Sequence, residues 1–351
     1  MNRCDALRKA LPDAYIVVHR PENIRWLTGY TGEGCVFVSP KRQVIITDFR
    51  YIEAASRQSP QCEIERTQAE RTEANVLKAL CDSERVEKLY VETDYLTFDA
   101  VTGLSKVLQG VSLLPLNQAP QTLRLIKDSS EVESMKKAAA ISCQALSNIL
   151  DRIRPGLTEK QVQIMLDYEM LSLGSEGNAF DTIAASGPNG SLPHAVPSDY
   201  VIQKGELLTL DFGATVDGYC ADMTRTLAIG KVSDDLSTLY HRVLKAQTMA
   251  LDALGPGKVC GDIDKIARDY LDGYYPGAFG HSLGHGVGLF IHEQPRLAKG
   301  SATVLQPGNV VTVEPGVYIP GLGGCRIEDM TIITEDGYID PVTFPKELIE
   351  L

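Results

Sequence analysis

Residues 203–213 read QKGELLTLDFG, and residues 306–316 read QPGNVVTVEPG. The two stretches lie 103 residues apart, and each consists of a turn, a short apolar run and one acidic residue, Asp211 or Glu314. A carboxylate on a buried strand is unfavourable unless it is paired or bound to a metal ion. Because a carboxylate follows an apolar run twice at equivalent positions, the pattern predicts a duplicated half-domain with an anionic site between its halves.

The segments before these strands repeat as well. Pro155-Gly156 precedes a predicted helix over residues 158–174, and Pro256-Gly257 precedes another over residues 260–273. A longer predicted helix comes before each of them. The order helix, helix, strand, strand therefore occurs twice, which favours a duplication over a chance match of two strands.

The longer helices are predicted over residues 129–152 and 236–254 from their hydrophobic periodicity. A serine at position 129 or 130 is expected to cap the first of them, because acidic residues follow in its first turn. Together these segments place the duplicated domain at residues 126–351.

Residues 1–125 have a different pattern, in which short β-rich runs alternate with helical stretches. This alternation predicts a smaller α/β domain. The predicted strands cover residues 14–18, 35–38, 44–47 and 88–91, and the predicted helices cover residues 70–81 and 99–108.

The composition bounds the class of protein. A chain of 351 residues with 44% hydrophobic residues can form about two globular domains. Its net charge of −12 argues against nucleic acid or an anionic membrane as a partner. No apolar run approaches the roughly 20 residues of a membrane span, and residues 1–20 lack a signal-peptide core. Eight cysteines without CxxC spacing favour a reducing, cytoplasmic location.

Two more carboxylates follow the repeated strands. Residues 207–226 are predicted to form a hairpin, since they contain a turn between Gly213 and Gly218. Side chains alternate between the two faces of a strand, so Asp211 and Asp222 can point into one site from adjacent strands. Such a cluster would repel itself and raise its own pKa values, whereas two divalent cations would neutralise four carboxylates.

The second half offers Glu314 and, after a loop rich in Pro and Gly, a return strand that carries Arg326 and Glu328. The internal repeat instead aligns Asp222 with Asp329. Side-chain alternation alone leaves both Glu328 and Asp329 open as the fourth carboxylate.

Four of the six histidines flank the carboxylate strands. His281, His285 and His292 lie in the glycine-rich stretch 280–295, and His194 lies in a proline-rich loop before Asp211. A site of carboxylates with a little imidazole suits Mn²⁺, Co²⁺ or Zn²⁺ better than copper. Paired metals lower the pKa of a bridging water and polarise a carbonyl, so the pattern predicts hydrolysis of an amide or ester.

The chain resembles the pita-bread metallopeptidases, and among them the Xaa-Pro peptidases, prolidase and aminopeptidase P. The resemblance rests on DFGATVDGYCADMTRT (211–226), GHSLGHGVGLFIHEQP (280–295), EPGVY (314–318) and GCRIED (324–329). The stretch NIRWLTGYTGEGCVF (23–37) is similar to the creatinase-type N-terminal domain. The resemblance implies an α+β protein: a duplicated C-terminal pita-bread domain preceded by a smaller creatinase-like α/β domain.

Matching the family motifs residue by residue implies the roles in the site. The resemblance favours Glu328 over Asp329 as a ligand. Phe180 and Tyr318 are further candidates for the wall of the substrate pocket, although either residue could equally belong to the core. The implied metal ligands are Asp211, Asp222, His285, Glu314 and Glu328; the implied catalytic or substrate-binding residues are His194, His281, His292 and Arg326.

The implied reaction is hydrolysis of the bond before proline at the second position of a peptide. Glu314 would act as general base and acid, and His281 or His292 would stabilise the oxyanion. Arg296, four residues after His292, could bind the free carboxylate of an Xaa-Pro dipeptide, which favours a dipeptidase over an aminopeptidase P. The resemblance also implies two divalent ions, Mn²⁺ before Co²⁺ or Zn²⁺, and a homodimer.

Three other classes remain as alternatives. A methionine aminopeptidase would usually lack residues 1–125, and a creatinase would lack the full set of metal ligands. A peptide-binding module without catalysis would be expected to have lost ligands, and the sequence shows no missing one.

Overall fold

The structure is a computed structural model, and it describes residues 3–351. The chain forms two compact units, the first ending at Arg124 and the second beginning at Leu125. The sequence places this boundary after residue 125. Each unit has its own sheet and its own hydrophobic core.

The first unit contains six helices and six strands among its described residues. The helices are α1 (Arg3–Ala10), α2 (Pro21–Thr28), α3 (Ile52–Gln58), α4 (Glu73–Glu84), α5 (Phe98–Val107) and α6 (Ala119–Leu123). The strands are β1 (Tyr15–Val18), β2 (Cys35–Val38), β3 (Gln43–Thr47), β4 (Glu63–Arg66), β5 (Lys88–Val91) and β6 (Ser112–Pro115). All six elements that the sequence predicts here are present, with ends that differ by up to three residues.

These strands form one mixed sheet in the order β4-β3-β2-β1-β5-β6. The apolar run of β1 pairs antiparallel with β2 and parallel with β5, so it lies in the middle of the sheet. Val17, Phe37 and Val44 point from this sheet into a core that Leu77 of α4 completes. Burial of both faces explains why these strands read as continuous hydrophobic runs rather than as alternating ones.

The second unit contains the repeated elements. Its helices are α7 (Ser129–Ile149), α8 (Glu159–Ser172), α9 (Asp234–Asp252) and α10 (Cys260–Asp272). Its strands are β7 (Ile183–Ser186), β8 (Leu207–Phe212), β9 (Thr215–Val216), β10 (Tyr219–Cys220), β11 (Met223–Ala228), β12 (Gly284–Gly286), β13 (Glu293–Leu297), β14 (Val310–Val313), β15 (Gly316–Ile319), β16 (Gly323–Arg326), β17 (Glu328–Ile333) and β18 (Tyr338–Ile339).

The large sheet of this unit has the order β13-β12-β14-β17-β11-β8-β7, and β18 pairs with β17. Its centre is the antiparallel pair β11 and β17, one strand from each half. Moving outward, β8 corresponds to β14 and β7 corresponds to β12, so the halves are related by a pseudo-twofold axis. The predicted duplication is therefore confirmed, and the two repeated sequences end on strands β8 and β14.

The predicted cap of α7 is wrong by one or two residues. Asp128, and not Ser129 or Ser130, caps the helix: its side chain accepts hydrogen bonds from the backbone N–H groups of Ser130 and Glu131. Glu131 in turn accepts a bond from the N–H of Asp128, which completes a capping box. An ionised aspartate both accepts these bonds and interacts favourably with the helix dipole, so it is preferred over the serines.

The described residues contain neither a disulfide bond nor a helix suited to span a membrane. All eight cysteines lie among the described residues, and each of them is a free thiol. No helix in residues 3–351 has both the length and the apolar character needed to cross a membrane.

Candidate metal centre

One cavity of about 900 Å³ in the second unit collects the expected site residues. All twelve of them line it, including the two pocket candidates Phe180 and Tyr318. The others are His194, Asp211, Asp222, His281, His285, His292, Arg296, Glu314, Arg326 and Glu328. The structure therefore brings every predicted side chain to one place, while their chemical roles stay predictions.

The two halves of the sheet deliver the carboxylates by equivalent routes. Asp211 lies near the end of β8 and is in register with Thr224 of β11, and Thr224 is in register with Glu328 of β17. Asp222 comes directly before β11, and Glu314 comes directly after β14. The antiparallel pairing at the centre of the sheet thus places residues from both halves over the same cavity.

The imidazole of His285 faces two of these carboxylates. Its Nε2 lies 3.4 Å from Asp222 Oδ2 and 3.4 Å from Glu314 Oε1. Its Nδ1 lies 3.0 Å from the carbonyl oxygen of Gly286, which can only accept a bond, so Nδ1 carries the proton. Nε2 then presents a lone pair to the cavity, as a metal-binding histidine does.

The ligand atoms of Asp222, His285 and Glu328 all lie within 4.8 Å of one another. All three residues are buried. Asp211 Oδ1 is also buried, and it has no hydrogen-bond partner among residues 3–351. A buried carboxylate oxygen of this kind normally has a partner, so it fits a cation that the protein atoms do not replace.

The acidity of these groups reflects their crowding. Burial, followed by the charges of Glu328, Asp211 and Glu314, raises the pKa of Asp222 well above its usual range. Burial raises the pKa of Glu314 to about 8 and that of Glu328 well above its usual range. Without a cation, burial and mutual repulsion therefore favour the protonated form of these carboxyls. Divalent cations reverse this balance, because they favour the ionised form.

The histidines respond to burial in the opposite direction. Burial lowers the pKa values of His281 and His285 to about 4 and lowers the pKa of His292 as well. These rings are therefore neutral at physiological pH, as ligation through an imidazole nitrogen requires. The donor set of carboxylates and neutral imidazole fits divalent metal ions.

Two threonines that sequence reasoning did not single out orient the carboxylates. Thr224 Oγ1 donates to Glu328 Oε2 at 2.7 Å, and Thr312 Oγ1 donates to Glu314 Oε1 at 3.3 Å. Thr312 Oγ1 also accepts the backbone N–H of His285 at 3.1 Å. Thr312 occupies the same place in the repeat as Thr209, so the sequence indicates its position in the motif. The sequence does not indicate its hydrogen bond to Glu314.

Arg326 joins two parts of the cavity. Its Nη2 donates to Asp211 Oδ2 at 2.6 Å, and its Nη1 donates to the hydroxyl oxygen of Tyr318 at 2.7 Å. The Tyr318 oxygen lies 3.0 Å from His281 Nε2, so the tyrosine donates its own proton to that nitrogen. His281 Nδ1 lies 2.8 Å from the carbonyl oxygen of Ser282. Both nitrogens of His281 are thus engaged by the protein.

His292 stands next to the centre, with its ring centroid 4.6 Å from that of His285. Arg296 also lines the cavity, and its charge lowers the pKa of His292 after the effect of burial. The loop that carries His194 is held by Glu159, whose buried carboxylate accepts bonds from Ser186 N and from Ser198 N and Oγ. This glutamate was not among the predicted site residues.

Asp329, the alternative to Glu328, points away from the cavity. Its Oδ1 accepts from Arg225 Nη2 at 2.7 Å, and its Oδ2 accepts from Gln247 Nε2 at 2.6 Å. Adjacent residues of a strand face opposite sides of the sheet, so only one of the pair can reach the centre. The geometry places Glu328 there.

Comparison with known proteins supports the same picture. Residues 133–335 match the model of metallopeptidase family M24, and residues 3–126 match that of the creatinase/prolidase N-terminal domain. A Bacillus subtilis protein, uncharacterized peptidase YqhT, is 41% identical over 94% of this chain and 93% of its own length.

Two solved structures superpose over nearly the whole chain. An Xaa-Pro dipeptidase from Bacillus anthracis has a TM-score of 0.96 and 40% identity and covers 99% of both chains. An X-Pro aminopeptidase from Thermotoga maritima has a TM-score of 0.92 and 31% identity, and the match covers 99% of this chain and 100% of that one.

Proposed function

The chain belongs to metallopeptidase family M24, and from this membership and the geometry of the cavity we propose that it is a dinuclear-metal exopeptidase that cleaves between an N-terminal residue and proline. Among the Xaa-Pro peptidases we propose a dipeptidase, or prolidase. The observation that carries the proposal is the lone pair of His285 Nε2, which lies 3.4 Å from Asp222 and Glu314 inside a cluster of buried carboxylates.

The proposed ligands are Asp211, Asp222, His285, Glu314 and Glu328. Four carboxylates and one neutral imidazole balance the charge of two divalent cations, and this oxygen-rich set supports Mn²⁺ before Co²⁺ or Zn²⁺. When bound, such ions supply an acidified water and polarise the carbonyl of the scissile bond. A peptide-binding module without catalysis would not need to keep all five ligands.

Glu314 is the proposed general base and acid. Its carboxylate lies 3.4 Å from His285 Nε2 inside the cavity, which suits a group that takes a proton from the attacking water and returns it to the leaving nitrogen. Its Oε1 is oriented by Thr312 at 3.3 Å, which leaves Oε2 to exchange the proton.

His292 is the better candidate for stabilising the oxyanion. His281 has both ring nitrogens engaged, one by Ser282 and one by Tyr318, so it has no free N–H to donate. We therefore assign His281 to the wall of the site, held in place by Tyr318 and Arg326. His292 and His194 then remain to contact the substrate.

The substrate is proposed to be a dipeptide with proline at the second position. Proline has no amide N–H, so the site need not supply an acceptor for the scissile nitrogen before cleavage. Arg296 lines the cavity beside His292 and can bind the free carboxylate of an Xaa-Pro dipeptide by a bidentate pair. Phe180 also lines the cavity and can pack against an apolar part of the substrate.

The second candidate is an Xaa-Pro aminopeptidase acting on longer peptides, which the similarity to the Thermotoga maritima enzyme favours. The deciding assay compares Ala-Pro with Ala-Pro-Ala, using apoenzyme reloaded with Mn²⁺, Co²⁺ or Zn²⁺. A dipeptidase hydrolyses Ala-Pro with the higher kcat/KM. A preference for Ala-Pro-Ala would favour the aminopeptidase, and hydrolysis of neither would contradict the proposed activity.

Arg296 gives a sharper test of the same choice. Arg296→Ala is expected to raise KM for Ala-Pro far more than for Ala-Pro-Ala, since only the dipeptide places its carboxylate there. Arg296→Lys keeps the charge but loses the bidentate geometry, so its KM for Ala-Pro should lie between those of the native chain and Arg296→Ala. Arg152→Ala removes a half-exposed arginine that pairs with Glu169, and it serves as the control that leaves both substrates unchanged.

The family resemblance also supports a homodimer. Size-exclusion chromatography with light scattering on the full chain would give twice the monomer mass of 38.3 kDa if it is one.

A further inference from the structure

Three polar side chains from three different elements meet in the first unit. His19 follows β1, Cys35 begins β2, and Glu73 is the first residue of α4. The antiparallel register pairs Val18 with Val36, and its continuation sets His19 directly opposite Cys35. Directly opposed residues in an antiparallel pair have Cβ atoms roughly 4.5–5.5 Å apart.

The three residues offer ligand atoms that all lie within 4.8 Å of one another. His19 Nε2 lies 2.8 Å from Glu73 Oε1, and Cys35 contributes its thiol from the opposite strand. The Cys35 residue is fully buried, the His19 side chain is 10% exposed, and the Glu73 side chain is 36% exposed. The cluster is therefore closed on the side of the sheet and open to solvent beside Glu73.

The Glu73 carboxylate pairs with His19 and with the Cys35 thiol, but one polar atom of the cluster stays without a partner among the described residues. His19 Nδ1 is buried and has no hydrogen-bond partner within residues 3–351, although buried polar atoms normally have one. Burial, followed by the charge of Glu73, raises the pKa of the Cys35 thiol well above its usual value. Polar groups at these depths are costly without a compensating partner.

We propose that His19, Cys35 and Glu73 form a second metal site, specific for a thiophilic divalent cation such as Zn²⁺. Binding breaks the Cys35 S–H bond, releases the proton to solvent and forms a bond from the thiolate to the metal. The thiolate and the Glu73 carboxylate neutralise the two positive charges, and His19 binds through the unprotonated nitrogen of its neutral imidazole. Three protein ligands leave a fourth position for water on the open side, beside Glu73.

This site differs from the cavity of the second unit in its ligand chemistry. The proposed catalytic ligands contain no sulfur, whereas Cys35 supplies a thiolate. Thiolate ligands select Zn²⁺ or Co²⁺, and carboxylates accept Mn²⁺, so the two sites sort metals by softness. A cation at His19, Cys35 and Glu73 would also link β1, β2 and the start of α4, which stabilises the first unit.

Cobalt titration of the full chain tests the proposal, because only a thiolate ligand gives a sulfur-to-cobalt charge-transfer band in the near ultraviolet. The band is expected in the native sequence at one equivalent per chain. Cys35→Ser and His19→Gln should abolish or strongly weaken it. Cys81→Ser is the matched control, since Cys81 is a buried cysteine in the core of the same unit; its band should be unchanged.

The variant Asp222→Asn separates this site from the proposed active site. It should lose peptidase activity and keep the charge-transfer band, whereas Cys35→Ser should lose the band and keep activity with Mn²⁺. Zn²⁺ should displace the cobalt band in the native chain, and Cys35→Ser should bind Zn²⁺ at this site more than ~10–100-fold more weakly, beyond the loss typical of an outer-shell partner.

Two results would overturn the proposal. One is the absence of the band from the native chain when the visible absorption of cobalt in the carboxylate cavity has reached saturation. The other is a band that persists in both Cys35→Ser and His19→Gln. Circular dichroism of each variant shows whether it is folded, and His19→Gln keeps all eight cysteines, so it tests the site even if Cys35→Ser does not fold.

Discussion

Glu328 and Asp329 are adjacent in β17, yet their side chains serve opposite faces of the sheet. Glu328 points into the cavity and accepts a bond from Thr224 at 2.7 Å, whereas Asp329 is buried behind the sheet against Arg225 at 2.7 Å. Arg225 Nη1 also donates to the carbonyl oxygen of Glu328 at 2.6 Å. One strand therefore carries a proposed metal ligand on one face and its structural anchor on the other.

Replacing Arg225 tests the anchor. Arg225→Met removes the guanidinium from buried Asp329 and leaves it only Lys346 and Gln247, so the cost approaches the roughly 3–5 kcal/mol of breaking a buried pair. We expect the free energy of unfolding, measured in urea, to fall by this amount. Lys265→Ala removes the exposed pair with Asp269 and should change it by less than ~1 kcal/mol. Equal effects of the two changes would contradict the anchor.

Replacing Glu314 tests the proton transfer. Glu314→Gln keeps an oxygen that can ligate a metal but cannot accept a proton, so kcat should fall about 10²–10⁴-fold. KM and the metal content, measured by atomic emission, should change little. Glu335→Gln, at an exposed position of the same unit, is the control and should leave kcat unchanged. If kcat of Glu314→Gln falls by less than tenfold, the general base is another residue.

Chelation should reveal the raised pKa values as a pH dependence of stability. Glu314 has a usual pKa of 4.5 and a folded pKa of about 8, and Asp222 and Glu328 are raised in the same direction. At these carboxyls the folded metal-free protein binds more protons than the unfolded chain. Their contribution to the free energy of unfolding is therefore complete below a pH of about 4.5, and it is lost as the pH rises towards about 8.

Thermal melts of chelated and Mn²⁺-loaded protein at several pH values measure this effect. The difference in Tm between the two forms should widen between pH of about 5 and about 8, because bound cations favour the ionised carboxylates. A constant difference across this range would show that the carboxylates do not hold the metal.

Glu159 is predicted to position the loop of His194. Its carboxylate is fully buried and accepts bonds from Ser186 N at 2.7 Å, from Ser198 N at 3.1 Å and from Ser198 Oγ at 2.7 Å. Glu159→Ala frees both ends of this loop, and a displacement of about 1 Å at a substrate contact can cost 10²-fold in rate.

We expect kcat/KM of Glu159→Ala to fall by about this factor, mainly through KM if His194 contacts the ground-state substrate. Metal content should be unchanged, which separates positioning from ligation. Glu159→Gln keeps one acceptor oxygen and should restore part of the activity. Loss of metal along with activity would mean that Glu159 supports the centre itself.

Much of the fold follows from local patterns. The repeated turn and strand around Asp211 and Glu314 predicted the duplication, and hydrophobic periodicity placed most helices within a few residues of their observed ends. The spaced histidines and carboxylates predicted which side chains would share a cavity. These features are local in sequence or fixed by the two-residue period of a strand.

What sequence reasoning missed depends on pairing between distant segments. The bond from Thr224 to Glu328 requires the β11–β17 pairing, and the contact between Arg225 and Asp329 requires the same register on the other face. The sequence does not indicate a role for His19, because its contact with Cys35 depends on the register of β1 and β2. The engagement of both nitrogens of His281 likewise depends on a hairpin that places Tyr318 beside it.

The anchor behind β17 also has a consequence for biosynthesis. Arg225 donates to the carbonyl oxygens of Phe344 and Pro345, and Lys346 pairs with Asp329. During translation Asp211, Asp222 and His285 leave the ribosome well before Glu328, and the segment that braces Glu328 leaves later still. A nascent chain that stops short of residue 346 lacks the support for its last carboxylate. The side chain that reaches the cavity from β17 is therefore braced by a segment that follows it in the chain, so the geometry of Glu328 depends on folding of residues 344–346 behind the sheet.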